Sequence, residues 1–246
     1  MPHATDFERP SQSTRTTNTK LSSSRETRQL QILYNKIQNQ YIESNFAASI
    51  NHIVDSKNNP RITRIVSLGL GSLTKSTDQS RRIKQLAILL AIAERLRKSQ
   101  PSLEIYAQDP SFSKIDETFL QTLDVHILST SSATELGEAA QYIDENTLVY
   151  SPFLTLEAYE LFFSAGSFNI FIGDDFDVLR IKWPKHSAGW KEAELISRRY
   201  VQNFRRRVIR DEDGFWDMED KPFPMAMYYK TSHRFQSKQP KAKLWE

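Results

Sequence analysis

The fold is decided by the stretch Ile62-Thr63-Arg64-Ile65-Val66-Ser67-Leu68-Gly69-Leu70-Gly71-Ser72 and by the helical pattern that follows it. Its first seven residues are rich in β-branched and apolar side chains, which is typical of a buried strand, and the two glycines mark a tight turn. Apolar residues at three- and four-residue spacing over 83–96 then predict an amphipathic helix with Asp78 as its N-cap. A strand, a turn and a helix in this order predict the first half of a βαβ unit.

The same alternation continues to residue 172. Further strands are predicted at 103–107, 125–128, 147–150 and 168–172, and helices between them at 115–123, 133–143 and 156–163. Strands and helices that alternate with short connections are typical of a parallel sheet covered by helices on both faces. We therefore predict an α/β fold: a three-layer Rossmann-like domain over 60–180 with a mainly parallel five-stranded sheet, plus flanking helices.

The segments on either side of this domain differ from it in composition. Residues 1–28 are polar and contain few large apolar side chains, so we predict a disordered N-terminal arm. Residues 29–57 have a helical period and are expected to form an N-terminal helix packed on the domain. Residues 181–246 form a basic helix followed by an aromatic and acidic extension. The apolar stripe of that helix, predicted over 190–209, is expected to dock on the domain; it consists of Ile196, Tyr200, Phe204 and Val208.

Charge and composition restrict the classes of function. The net charge of +3 is divided into +2 over residues 1–28, −6 over residues 29–179 and +7 over residues 180–246. Because an acidic run over 211–220 and the acidic domain can both neutralise the basic helix, we expect protein partners rather than nucleic acid. The absence of cysteine excludes disulfides and thiol catalysis. The longest apolar run, Leu86–Ala93, is far shorter than the ~18–20 residues of a membrane span, so we expect no membrane contact and a cytoplasmic or nuclear location.

The candidate site lies where the predicted strands end, because ligands of open parallel sheets bind beyond the carboxyl ends of the strands. The loops at these ends are small, polar or acidic. They supply the candidate ligand-binding residues Gly69, Gly71, Ser72, Asp109, Pro152, Gly173, Asp174 and Asp175.

The chemistry of this site remains open between alternatives. Gly69 and Gly71 form a G-x-G pattern without the third glycine of a dinucleotide motif, which fits either a cofactor turn or a tight strand exit. Asp174, Asp175 and Asp177, with Asp109, could hold Mg²⁺, but aspartates at a strand-to-helix junction more often cap the helix, so no metal site is predicted. No arrangement of Ser, His and Asp indicates a nucleophile, so no catalytic residue is predicted and any cofactor is unknown.

Several of these loops together resemble one known family. The segments are Leu68-Gly69-Leu70-Gly71-Ser72, Asp109-Pro110-Ser111-Phe112, Asp144-Glu145-Asn146-Thr147-Leu148-Val149-Tyr150-Ser151-Pro152 and Ile172-Gly173-Asp174-Asp175-Phe176. Their order over 62–179 resembles the sensitivity-to-red-light-reduced-like (SRR-like) domain, and the version here is similar to the fungal branch. The resemblance implies a regulatory role with no established reaction. Phe153 and Leu154 stand where the family usually has His and sometimes Cys, so no proton transfer can be carried over.

Two functions follow as hypotheses. The first is a non-enzymatic regulatory or adaptor protein with a small-ligand cleft at the strand ends. The alternative is a nucleotide- or S-adenosylmethionine-dependent, methyltransferase-like enzyme that uses the Gly69/Gly71 turn and Asp109.

Overall fold

The computed structural model describes residues 13–56, 59–74, 77–132, 134–210, 214–217, 220 and 224–230, with side chains from residue 24 onward. The helices are α1 (Ser13–Ile42), α2 (Asn45–Val54), α3 (Gln79–Arg97), α4 (Lys114–Thr122), α5 (Leu156–Ala165), α6 (Phe176–Leu179) and α7 (Ala188–Ile196). The strands are β1 (Arg64–Leu68), β2 (Glu104–Gln108), β3 (His126–Ile127), β4 (Thr147–Ser151), β5 (Ile170–Asp174), β6 (Arg205–Ile209) and β7 (Met225–Tyr229). Short 3₁₀ segments occur at Gly137–Gln141 and Arg180–Lys182, the first in place of the helix predicted over 133–143.

The described strands form one sheet in the order β3-β2-β1-β4-β5-β7-β6. Strands β1 to β5 are mutually parallel, with Ile65 of β1 opposite Ile105 of β2 and Leu148 of β4. The order changes direction between β1 and β4, which is the switch point where doubly wound sheets bind ligands. The predicted α/β class with a mainly parallel sheet is confirmed. The predicted count of five strands was wrong, because β6 and β7 extend the described sheet to seven.

Two layers of helices cover the sheet because successive strand residues point to opposite faces. Ile65 belongs to a core formed with α1, α2, α3 and α4, whereas the next residue, Val66, belongs to a core formed with α5, α6 and α7. The three layers agree with the predicted architecture. No helix within the described residues has the length and apolar character needed to cross a membrane.

The added strands β6 and β7 are antiparallel to their neighbours, and neither of them was predicted from the sequence. Strand β7 is buried on both faces, so its residues do not alternate between polar and apolar. Strand β6 begins Arg205-Arg206-Arg207 and lies within the predicted helix 190–209, which was wrong over this part. The helix instead ends at Ile196, and a π-helical segment follows at Ser197–Val201.

The apolar stripe predicted for that helix is therefore divided between different elements. Ile196 is buried, and Tyr200 and Phe204 are partly buried against the core beneath α5, where Tyr200 stacks on Phe163. Val208 lies on β6 and is 40% exposed. Fourth-residue spacing did not distinguish the end of the helix from the start of an edge strand.

The N-terminal region also differs from its predicted boundaries. Helix α1 begins at Ser13, so the prediction of a disordered arm over 1–28 was wrong for residues 13–28, and residues 1–12 lie outside the described residues. Once buried side chains such as Leu30 and Tyr34 anchor a helix, each added residue gains a hydrogen bond at low cost, even in a polar sequence. The single helix predicted over 29–57 is divided at Ser44, whose side chain caps α2 by accepting from the Ala47 amide.

Candidate functional site

A cleft with a volume of about 250 Å³ lies beyond the carboxyl ends of β1, β2 and β4, where the strand order changes direction. It is lined by strand ends, by the loops that leave them and by the first turns of α5. The described lining residues are Leu68, Gly69, Gln108, Asp109, Pro110, Thr130, Ser132, Glu135, Leu136, Phe153, Leu154, Thr155, Ala158 and Leu161. Its position at the switch point makes it the candidate site.

The turn that follows β1 requires two glycines. Gly69 and Gly71 have φ angles of 74° and 76°, a region that strains residues with a Cβ atom. A Cβ on Gly69 would collide with the side chain of Leu154, and one on Gly71 would lie 2.5 Å from Cζ of Arg82. The close approach at both glycines is therefore to the protein's own side chains, and it explains the G-x-G pattern as a tight strand exit.

Asp109 connects the turn after β1 to the loop after β2. Its Oδ2 accepts a hydrogen bond of 2.7 Å from the Gly71 amide. Its Oδ1 accepts bonds from the amide and the hydroxyl of Ser111, at 2.8 and 2.5 Å. The carboxylate thus holds two loops in register at one side of the cleft, and Oδ2 retains a lone pair for a further donor.

A second carboxylate, that of Asp116, also holds the turn after β1 but does not line the cleft. Asp116 is fully buried at the start of α4, where it completes a capping box with Ser113. It also accepts from the Ser72 hydroxyl at 2.8 Å and from the Leu73 amide at 2.9 Å. Ser72 is therefore a structural link between the turn and α4, and it does not line the cleft.

The opposite side of the cleft is formed by the loop after β4. Phe153 has a φ angle of 65°, an uncommon value for a bulky side chain. Its amide donates to Oδ1 of Asp174 at 3.0 Å, and its ring makes an edge contact with Trp216. These contacts hold the Phe153 ring in the cleft wall, directly after the buried Pro152.

Asp174 is completely buried at the end of β5. Burial raises the pKa of this carboxyl, and the nearby Lys182 ammonium, 3.3 Å from Oδ2, acts in the opposite direction. The amide of Asp174 donates to the hydroxyl of Tyr159, and that hydroxyl donates to the carbonyl of Ser151. A Cβ on Gly173 would lie 3.0 Å from the same hydroxyl, so the glycine leaves room for this bridge between β4 and β5.

Asp175 has a structural role at the start of α6. It caps the helix by accepting from the Asp177 amide, and its two carboxylate oxygens bind Arg206 in a bidentate pair at 2.6 and 2.5 Å. This pair connects β6 to the end of β5, and the hydroxyl of Tyr228 also points at Asp175. Within the described residues, no group of three His, Asp or Glu side chains is arranged to hold a metal ion.

The structure therefore separates the eight predicted site residues. Gly69 and Asp109 line the cleft. Gly71 and Ser72 belong to the turn after β1 but do not line the cleft. The other four, Pro152, Gly173, Asp174 and Asp175, support the loops after β4 and β5 and do not line the cleft either.

Sequence reasoning missed most of the cleft wall. Gln108, Pro110, Thr130, Ser132 and Phe153 lie in loops that leave predicted strands, so the topology itself indicates them. The wall contributed by α5 has a weaker signal, the spacing of Thr155, Ala158 and Leu161 along one face of a helix.

Comparison with known proteins yields one family and several distant folds. No curated protein matches the sequence significantly. Among solved structures, the chain is similar to fibrillarin from Aeropyrum pernix with natively bound S-adenosyl-L-methionine (TM-score 0.43, 12% identity, 78% of this chain and 76% of that one). It is also similar to a SAM-dependent O-methyltransferase from Thermotoga maritima (TM-score 0.40, 12% identity, 75% of this chain and 64% of that one).

These structural similarities concern the fold alone. The family assignment rests on a different comparison, which covers both helical layers and the sheet. The model of the SRR1 domain matches residues 26–237, in agreement with the family expected from the loop motifs, and the chain belongs to the SRR1 domain family.

Proposed function

We propose that this SRR1-domain chain is a regulatory or adaptor protein that binds a small ligand in the cleft between β1, β2 and β4 and does not catalyse a reaction on it. The volume of about 250 Å³ lies just below the usual range for ligand pockets, ~300–1,000 Å³. That size suits a ligand of nucleoside dimensions better than a dinucleotide. The apolar wall would bind the body of such a ligand, and hydroxyls of Thr130, Ser132 and Thr155 offer hydrogen bonds.

The non-enzymatic part of the proposal rests on the presence of Phe153 in the cleft wall. The family usually has His at this position, and here a phenyl ring occupies that part of the cleft wall. A phenyl ring neither donates nor accepts a proton. The carboxylate on the other side, Asp109, already accepts three hydrogen bonds that hold the loops together. Ligand binding without chemistry is therefore the function that this wall supports best.

Thermal unfolding with and without added ligands tests the proposal. The probes are adenosine, S-adenosylmethionine, ATP and haem, each at millimolar concentration. A ligand at 100 times its dissociation constant stabilises the fold by ~2.7 kcal/mol, which raises Tm by several degrees. We expect at least one probe to raise Tm, and we expect Ala158→Phe, which fills the cleft, to abolish the shift.

The matched control is Ala165→Phe, at the exposed end of the same helix α5. It should leave the ligand-induced shift unchanged. If no probe raises Tm, or if both variants behave alike, the cleft is not a ligand site.

A second candidate, S-adenosylmethionine-dependent methyl transfer, is favoured by the position of Asp109. This carboxylate follows β2 directly and contacts the turn after β1, where Rossmann-type folds bind the hydroxyls of a ribose. Asp109 would hold the ribose, the apolar wall would hold the adenine ring, and the bound cofactor would supply an activated methyl group. Radiolabelled methyl transfer to total protein or RNA, compared between wild type and Asp109→Asn, separates this candidate from binding alone.

We further propose that this protein binds other proteins and that it acts in the cytoplasm or the nucleus. We also propose that it belongs to the fungal branch of the family, which the tetrapeptide Asp144-Glu145-Asn146-Thr147 favours. Part of the C-terminal positive charge is neutralised within the fold, because Arg206 pairs with Asp175 and Asp177. Arg207 lies over the ring of Tyr229. Salt-dependent retention on RNA that is lost in Arg205→Ala would contradict the protein-partner proposal.

A further inference from the structure

The charge of the cleft wall is one-sided. Among the described residues that line the cleft, Asp109 and Glu135 are charged, and both are acidic; the described lining contains no Lys or Arg. Glu135 is exposed at the rim, where one oxygen accepts from the Ser131 hydroxyl. The remaining wall is made of aliphatic and aromatic side chains together with uncharged polar groups. The charged side chains of the described lining therefore favour a cationic ligand over an anionic one.

Four amides of the turn after β1 already have acceptors within the protein. The Gly69 amide donates to the carbonyl of Gln108, and the Gly71 amide donates to Asp109. The Leu73 amide donates to Asp116, and the Thr74 amide points at the hydroxyl of Ser72. A phosphate group that bound to these amides would have to displace their acceptors, which at Gly71 and Leu73 are carboxylates.

Two arginines near the turn already have partners within the protein. Arg82 donates to the carbonyl of Ser72 at 2.9 Å. Arg81 pairs with Asp78 at 2.9 Å, its Nε is buried, and its guanidinium lies over the ring of Phe153, 5.6 Å from the centroid. Neither side chain is part of the described cleft wall. Within the described residues, Arg81 and Arg82 therefore add no cation to the lining of the cleft.

We propose that the cleft selects a small organic cation with an apolar body and excludes phosphate-bearing nucleotides. This inference rests on the proposed function, since it specifies the ligand class for the same cleft. The cationic group would lie between the free lone pair of Asp109 Oδ2 and the carboxylate of Glu135. The Phe153 ring forms part of the cleft wall, and Leu68, Leu136 and Leu161 would contact the apolar body of the ligand.

Paired probes of opposite charge test the inference. Benzyltrimethylammonium and phenylmethanesulfonate share an aromatic body of similar size and differ in the sign of their charge. Both are titrated into isotopically labelled protein while the amide signals of residues 130, 132 and 155 are followed by NMR. We expect the cation to bind at least tenfold more tightly than the anion, which corresponds to about 1.4 kcal/mol.

Variants identify the source of this preference. Glu135→Gln removes a rim charge without touching the hydrogen bonds of the turn, and Asp109→Asn removes the second charge. Each should weaken binding of the cation several-fold and leave binding of the sulfonate unchanged or stronger. The control Glu145→Gln removes an exposed carboxylate before β4, at the other end of the sheet, and should leave both affinities unchanged.

The outcomes separate this inference from the function on which it rests. If neither probe shifts signals from the cleft, then the ligand cleft itself fails and the inference fails with it. If the anion binds as tightly as the cation, or if Glu145→Gln has the same effect as Glu135→Gln, the cleft still binds ligands but the cation selectivity is wrong.

Discussion

Lys84 provides the sharpest test of how the C-terminal part of the chain is attached to the domain. Its side chain is only 4% exposed within α3, and Nζ lies 2.5 Å from Oδ2 of Asp220 and 2.7 Å from Oδ2 of Asp217. Asp220 is 2% exposed, whereas Asp217 is 70% exposed. We predict that Lys84→Met destabilises the protein by ~3 kcal/mol or more, because it leaves the Asp220 carboxylate buried without its cation.

The magnitude follows from the different exposure of the two carboxylates. Methionine retains most of the apolar volume of the lysine stem, so the loss is mainly electrostatic. Breaking a buried ion pair on one side costs ~3–5 kcal/mol, and a hydrogen bond that the Asp217 amide donates to Oδ2 of Asp220 offsets part of that cost. An exposed ion pair contributes ~0–1 kcal/mol, so Asp217→Asn should cost less than ~1 kcal/mol.

Urea denaturation measures these differences as changes in the free energy of unfolding at constant m-value. The double variant Lys84→Met/Asp220→Asn removes both charges and should recover most of the stability lost in Lys84→Met. Lys114→Met is the matched control, since Lys114 is exposed and pairs with Glu117 on the surface. A cost below ~1 kcal/mol for Lys84→Met, or strictly additive effects in the double variant, would refute the reasoning.

Three further predictions concern the sheet and the cleft loops. The pKa of Asp174 is raised in the folded state, so the wild-type protein loses free energy of unfolding as the pH rises above the ordinary carboxyl value of 3.8 and this group ionises. Asp174→Asn removes that loss, and its free energy of unfolding should therefore increase relative to wild type over the same pH range. Parallel profiles of the two proteins between about pH 4 and 7 would contradict this prediction. In urea denaturation, Phe204→Ala should lower the free energy of unfolding by ~2 kcal/mol and Val208→Ala by less than ~1 kcal/mol, since only Phe204 packs against the core. Equal losses would be inconsistent with the assignment of Val208 to the edge strand β6. Gly71→Ala should lower the free energy of unfolding by more than Gly214→Ala. Both glycines have positive φ, but only at position 71 would the new methyl group meet another side chain. Calorimetry should rank the two variants in this order, and the reverse ranking would disprove the steric argument.

The sequence alone predicted the strands β1 to β5 and most of the helices that connect them. The predicted strand at 147–150, for example, is β4 at Thr147–Ser151. These elements are coded locally, since a buried strand between two helices needs a continuous apolar run and an amphipathic helix needs a 3.6-residue period. The glycines of the first turn were also recognisable, because few other residues tolerate their φ angles.

The functional roles of the acidic residues were decided only by the tertiary structure. Asp109, Asp174 and Asp175 all follow predicted strands, and their sequence context is similar. In the structure, only Asp109 lines the cleft, while Asp174 holds the Phe153 loop and Asp175 binds Arg206. Each role depends on a partner distant in the chain, which local patterns do not specify.

The same reason explains the two strands that the sequence did not predict. Arg205-Arg206-Arg207 forms β6 because β7 provides its hydrogen-bond partners and Asp175 neutralises Arg206 from 31 residues away. A fourth-residue apolar spacing continues from the helix into this segment and favours a longer helix. Pairing with β7 outweighs that local preference, because the strand gains both a backbone ladder and a partly buried charge pair that an extended helix would lack.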